Sequence, residues 1–243
     1  MMKKVVLQRS GGIAIVCLDN GDYNIFDADM HRQLFDALQT ADSWDVGCIL
    51  LCSNSLIAFS SGDFVDRRRR EGTVPTTTPA GSPNTKESIE WARRTLALDI
   101  GAPVVCAISG WCLGQGFIYV CELADIRMAA PSAKFGLPEI EYGIVGGSVL
   151  AGLRQKFADG IASWIAFTGR TMDAETAERC GFVTFIVEES ELAEESVALA
   201  RDIARSDPAK LRAEKRALRR SASLDRLERH AFGYQVLAEN RDR

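Results

Sequence analysis

Two short apolar strands that each end in a glycine turn constrain this chain more than any other feature. One segment reads Ala58-Phe59-Ser60-Ser61-Gly62-Asp63-Phe64. The other reads Ile108-Ser109-Gly110-Trp111-Cys112-Leu113-Gly114-Gln115-Gly116 and continues as an apolar run to Leu123. Glycine permits backbone conformations that leave N–H groups pointing outward, and a helix start adds free N–H groups and the positive end of a dipole. Two such N–H groups converging on one oxygen would make an oxyanion hole. Either turn alone is better explained by close packing of a helix on a strand.

The rest of the chain fits a layered α/β protein. Val5 to Leu7 and Ile13 to Leu18 read as a β-hairpin across Gly11-Gly12. Asp27 to Ala41 places Met30, Leu34, Leu38 and Ala41 at helical spacing. Cys48 to Cys52, Val104 to Ile108, Ile126 to Ala130 and Phe182 to Val187 read as strands, and Lys86 to Asp99 and Leu113 to Leu123 as helices. Asp66 to Thr85 is rich in Arg, Thr, Pro and Gly, the composition of a long functional or mobile loop. Asp173 caps a short helix that stops at Gly181. Two helices close the chain, over Ser190 to Arg205 and from the Asp207-Pro208 cap onward. Repeated strand–strand–helix units with a helical tail predict sheets and helices in layers. The expected division is a core over 1–189 and a helical region over 190–243.

Charge and composition exclude several classes. The net charge of -4 gives no general attraction to nucleic acid or anionic membrane. No run of about 18 apolar residues is present, and the basic–apolar start breaks at Gln8-Arg9-Ser10, too early for a signal peptide. Seven cysteines, mostly within apolar stretches, read as buried thiols of a reducing compartment, so a cytoplasmic location is expected. With only His31 and His230 and no Cys-x-x-Cys, the chain fits neither a zinc site nor a His-based triad.

In order and spacing, the whole pattern resembles the crotonase (enoyl-CoA hydratase/isomerase) superfamily. The resemblance rests on Phe59 to Asp63, on Pro103 to Gly116, on Ala124-Asp125-Ile126-Arg127-Met128-Ala129-Ala130, and on Ala133-Lys134-Phe135-Gly136-Leu137-Pro138-Glu139-Ile140. Thr168-Gly169-Arg170 and the stretch from Ala177 to Val183 extend it. It implies a spiral of ββα units with a C-terminal helical region, assembled as a homotrimer or hexamer. It also implies an acyl-CoA thioester as substrate, coenzyme A being part of that substrate, with no separate cofactor or metal. The backbone N–H groups of Asp63 and Gln115 would polarise the thioester oxygen, and Glu139 would move a proton at the α-carbon. Ser61, Gly62, Gly114, Ile118 and Tyr119 would line the acyl site.

The chain departs from the family in ways that bear on the reaction. Hydratases carry a second glutamate two residues past the glycine triplet, where this chain has Ile118. The interval to Asp125 is one residue longer, so a bulge could present Tyr119 instead. Glu122, four residues on, could compensate or could close a buried polar network. Gln115 replaces the middle glycine. Asp63 stands where a small residue is usual; a one-residue deletion before it would make Gly62 the N–H donor. The chain ends at Arg243, where typical members continue with one more helix. Arg67-Arg68-Arg69-Arg70 and the basic residues between Lys210 and Arg220 could meet the CoA phosphates or simply face solvent. Trp111 and Trp164 are expected in the core. These departures favour isomerisation by a single catalytic glutamate, with C–C cleavage, decarboxylation or non-catalytic acyl-CoA binding as alternatives.

Overall fold

The computed structural model describes residues 2–63, 86–146 and 148–240. The expected loop from Asp66 to Thr85, including the four consecutive arginines, lies outside the described residues. The hairpin forms from β1 (Val5–Ser10) and β2 (Ile13–Leu18), paired antiparallel with Ser10 opposite Ile13. The next helix, α1 (Ala28–Ser43), begins at Asp27, whose side chain accepts from the Met30 N–H.

From there the chain alternates between two sheets. β3 (Cys48–Ser53), β5 (Val104–Ile108) and β7 (Ile126–Ala129) join a first sheet, each followed by a short strand in a second sheet: β4 (Ala58–Ser60), β6 (Trp111–Leu113) and β8 (Lys134–Gly136). Helices complete these units: α2 (Lys86–Leu96), α3 (Gln115–Leu123), and a 3₁₀ turn (Pro138–Tyr142) leading to α4 (Ser148–Lys156). Then come α5 (Asp159–Thr168), β9 (Met172–Asp173), α6 (Ala174–Arg179) and β10 (Phe185–Ile186). The first sheet has the order β1-β2-β3-β5-β7-β10, parallel apart from the hairpin; the second has the order β4-β6-β8-β9. A chain that lays one strand in each sheet and then a helix, three times over, winds as a spiral. The expected architecture is observed.

Strand periodicity explains why the first sheet is covered on both faces. Ile49, Leu51, Val104, Cys106 and Ile108 face a core shared with α1 and α3, while Cys48, Leu50, Val105 and Ala107 face Leu192 and Ala200 of α7 (Leu192–Ile203). Between α3 and the second sheet, Phe117, Phe135, Phe157 and Phe182 pack ring against ring, with Phe117 and Phe182 5.3 Å apart edge to face. Truncating one such ring to alanine costs about 3–5 kcal/mol.

Several elements differ from expectation. Trp111 and Leu113 belong to β6, so α3 starts only at Gln115, and Trp111 is 40% exposed instead of buried. The strand over Phe182–Val187 shrinks to Phe185–Ile186, because Phe182 turns into the aromatic cluster. Helices α4 and α5 were not foreseen. The C-terminal region holds three helices where two were expected: α7, α8 (Pro208–Ser221) and α9 (Arg226–Glu239). The third is opened by a capping box in which Asp225 and Glu228 satisfy each other's backbone.

Candidate active site

The two glycine turns meet. Gly62 has φ 80° and Gly114 has φ 52°, a region open to glycine. A side chain at Gly62 would stand 2.8 Å from the Leu113 carbonyl oxygen and 3.0 Å from the Gln115 nitrogen, so bare backbone is required where the turns touch. Gly116 serves the same contact from the helix side, since a Cβ there would lie 2.6 Å from the Ser60 Cβ.

The N–H groups at these turns divide into two sets. Ser61 N–H donates to the Tyr23 carbonyl, Gly62 N–H to Ser60 Oγ, and Gly114 N–H to the Gly136 carbonyl. Gly62 therefore has its hydrogen bond already, and the alternative that made it a free donor is set aside. Among the described residues, neither the N–H of Asp63 nor that of Gln115 meets an acceptor. Gln115 opens α3, where the first turn has no intrahelical acceptor.

Glu139 follows Pro138 in the 3₁₀ turn, and its carboxylate reaches the same place. Oε1 is 3.0 Å from the position a Gly114 Cβ would occupy, while Oε2 is buried with no hydrogen-bond partner. Burial raises its pKa from 4.5 to about 7; its own backbone N–H opposes that rise, and the nearby charge of Asp63 adds to it. The side-chain nitrogen of Gln115 is also buried, and the Gln115 side chain faces the Tyr119 hydroxyl. Buried polar atoms without partners are costly and uncommon. Glu139 Oε2, beside the joined turns, marks a place built for a polar ligand.

The helix carrying Gln115 is regular, with Ile118 N–H bonded to the Gly114 carbonyl, so no bulge exchanges Ile118 for Tyr119. Ile118 is buried and contributes no acid. Glu122 is exposed and lies over Gly152 of α4, which rules out both compensation at the site and a buried network.

Tyr119 has a different part. Its hydroxyl is 2.7 Å from His31 Nδ1, and His31 Nε2 is 2.9 Å from Asp63 Oδ1. The imidazole is fully buried, stacked on Phe26 at 4.7 Å, and Phe26 in turn donates its N–H to the Gly62 carbonyl. His31 was missed from sequence, where two histidines in 243 residues argued against a zinc site or a His-based triad. The available signal was its place on the inner face of α1 with Leu34, Leu38 and Ala41. Burial raises the Tyr119 pKa far above that of a free phenol and the charge of Asp63 adds to the rise; hydrogen bonding with Thr95 and Gln115 opposes it.

A cavity of about 830 Å³ lies away from these residues, between Gly101, α8 and α9, lined by Arg212, Arg216, Arg219 and Arg220. Its cations are largely engaged: Arg212 pairs with Asp42, Arg216 with Glu239, and Arg219 and Lys215 with Asp125. The unpartnered Glu139 oxygen points to the glycine turns as the centre of chemistry.

Comparison with known proteins gives the family. The model of the enoyl-CoA hydratase/isomerase family matches residues 8–240. The chain belongs to that family, whose members process acyl-CoA thioesters. It is 27% identical to hydroxycinnamoyl-CoA hydratase-lyase of Pseudomonas fluorescens, over 98% of this chain and 86% of the relative. It is 30% identical to carnitinyl-CoA dehydratase of Salmonella typhi, over 92% and 83% respectively. The human enoyl coenzyme A hydratase domain-containing protein 3 superposes with a TM-score of 0.86 at 20% identity, over 98% of this chain and 92% of that one, a likeness of fold.

Proposed function

We propose that this protein binds an acyl-CoA thioester with its carbonyl oxygen between the N–H groups of Asp63 and Gln115, and that Glu139 removes the α-proton to give an enolate. The observation that carries the reading is the Glu139 carboxylate, half buried beside the joined turns, with Oε2 unpartnered and a pKa of about 7. A general base works best when its pKa lies near the working pH. Two preorganised N–H groups stabilise the charge that develops on the oxygen, and binding by backbone leaves Glu139 free for proton transfer. Assembly as a homotrimer or hexamer belongs to the same proposal, and light scattering checks it.

Two outcomes branch from the enolate. A double-bond shift needs one group that takes a proton and returns it elsewhere, and buried Ile118 is compatible with Glu139 acting alone. Addition or elimination at the β-carbon needs a second proton-transferring group. The second reading is supported by the names of the two relatives, a hydratase-lyase and a dehydratase.

The test is exchange of the α-protons of butyryl-CoA with D₂O, followed by mass spectrometry, beside a panel of enoyl-, hydroxyacyl- and malonyl-CoA thioesters. Exchange by the wild type and its loss in Glu139→Gln are expected. A wild-type protein that neither exchanges these protons nor converts any thioester of the panel sinks the proposal.

A further inference from the structure

We infer that Asp63 is the second proton-transferring group of this site, oriented and recharged by His31 and Tyr119, and that the reaction is therefore addition or elimination at the β-carbon. The inference rests on the enolate reading above and names its reaction class.

Asp63 directly follows the glycine at which the two turns touch, and its side chain is 21% exposed while His31 behind it is fully buried. One carboxylate oxygen accepts from His31 Nε2, and the chain continues inward to the Tyr119 hydroxyl. A residue that merely anchored the turn would not need a charge. Here a carboxylate sits close enough to Glu139 for its charge to raise that group's pKa, an unfavourable pairing that an amide would avoid. Imidazole and phenol also make a chain that can hold a proton in more than one arrangement. A neutral His31 donates from Nε2 to Asp63 and accepts the Tyr119 proton at Nδ1; a charged His31 donates from both nitrogens, and the hydroxyl rotates to accept. Packing locks the chain in place. Phe26 stacks on the imidazole at 17° and meets the Tyr119 ring edge-on at 5.2 Å.

In elimination, Glu139 takes the α-proton and the C–H electron pair moves onto the thioester oxygen. When the carbonyl re-forms, the α–β double bond forms and the bond from the β-carbon to its hydroxyl breaks. The proton held by the Asp63–His31 pair passes to the departing oxygen, which leaves as water. Glu139 and the pair then return to their starting states by exchange with solvent. Addition of water is the reverse. Asp63 is the catalytic residue here; His31 and Tyr119 position it.

The experiment compares two readouts on the full chain. The first is α-proton exchange of butyryl-CoA in D₂O, which needs only the two N–H groups and Glu139. The second is interconversion of 3-hydroxybutyryl-CoA and crotonyl-CoA, which needs both proton-transferring groups. Asp63→Asn keeps its backbone N–H, and its kcat for interconversion should fall by at least ~10² more than its exchange rate does, with KM little changed. His31→Gln should move the same readout in the same direction by ~10-fold or more, and it serves as the second variant should Asp63→Asn not fold. Glu139→Gln loses both activities. The inference is overturned by an Asp63→Asn protein that still interconverts the pair, or by one that loses exchange and interconversion in parallel, since Asp63 would then only hold the turn. A wild type that exchanges α-protons but does not interconvert the pair also overturns it. A wild type that neither exchanges α-protons nor converts any thioester of the panel refutes the enolate reading instead.

Discussion

The two ends of α3 handle buried polarity in opposite ways. At its C-terminal end, Arg127 donates to the carbonyls of Val120, Cys121 and Ala124 and lies 4.6 Å over the Phe182 ring. A few residues away, Lys215 pairs with Asp125 and also donates to the Ala102 carbonyl. Burial pulls the pKa of both cations below the ordinary value, yet each is surrounded by acceptors. At the N-terminal end the pattern is reversed. Glu139 Oε2 is buried without a partner, and the chain from Tyr119 through His31 ends at a partly exposed carboxylate. A closed set of hydrogen bonds stabilises the fold, whereas an open one holds capacity in reserve for a ligand.

The largest effect that tests this contrast is on rate. Glu139→Gln should lower turnover by ~10² or more, because the amide keeps shape and hydrogen bonding but cannot accept a proton. A rate within threefold of wild type would break the contrast at its open end.

Stability should respond at the other end. Arg127→Met removes the donor to two carbonyls of α3 and to that of Ala124 just past its end, and should cost about 3 kcal/mol in denaturant unfolding. Lys215→Met should cost about 2 kcal/mol, less because Asp125 keeps Arg219 and the Val104 N–H as partners. In Lys215→Met, turnover per folded molecule should match wild type. An unfolding curve unchanged by either substitution would deny these networks their structural role.

The smallest effect sharpens the comparison through pH. Glu139 binds its proton more tightly in the folded state, with a pKa near 7 against 4.5 in an unfolded chain. Its favourable contribution to stability is thus fully present below pH 4.5 and is lost as pH rises through 7. Glu139→Gln removes that dependence, so the variant should melt a few degrees above wild type at pH 8, with the gap closing towards pH 5. Activity runs the other way, since the base must be ionised: kcat/KM should fall below pH 7 with Glu139. A melting gap that widens on acidification would contradict the assigned burial.

Much of this was legible in the residues, and the exceptions have physical reasons. The strands of the first sheet and α1 announced themselves because alternation and helical spacing record which face is buried. Asp173 and Asp207 marked helix starts because a short acceptor beside free N–H groups works without any tertiary partner. The meeting of Gly62 with Gly114 and Gln115, and the arrival of Glu139 there, were expected from motifs along the chain. The break before Asp225 was passed over because basic residues continue on both sides of it, although the Asp225–Glu228 spacing carries the capping signal. Helices α4 and α5 follow a glycine-rich stretch with little alternation. His31 was out of reach for a different reason. Its partners lie 32 and 88 residues away, and nothing local distinguishes a histidine that closes a network from one that fills a core.

The joining of the two turns has one more consequence. The N–H groups brought together at 63 and 115 belong to the main chain, so any residue other than proline supplies them. Successive coils of the spiral hold them in register, and the glycines at 62, 114 and 116 do the close packing. The side chains at 63 and 115 are thereby released from the duty of shaping the scaffold. This chain has placed a carboxylate at one and a carboxamide at the other. An architecture of this kind separates the part that must not vary from the part that can, and a new reaction can be tried at the second without rebuilding the first.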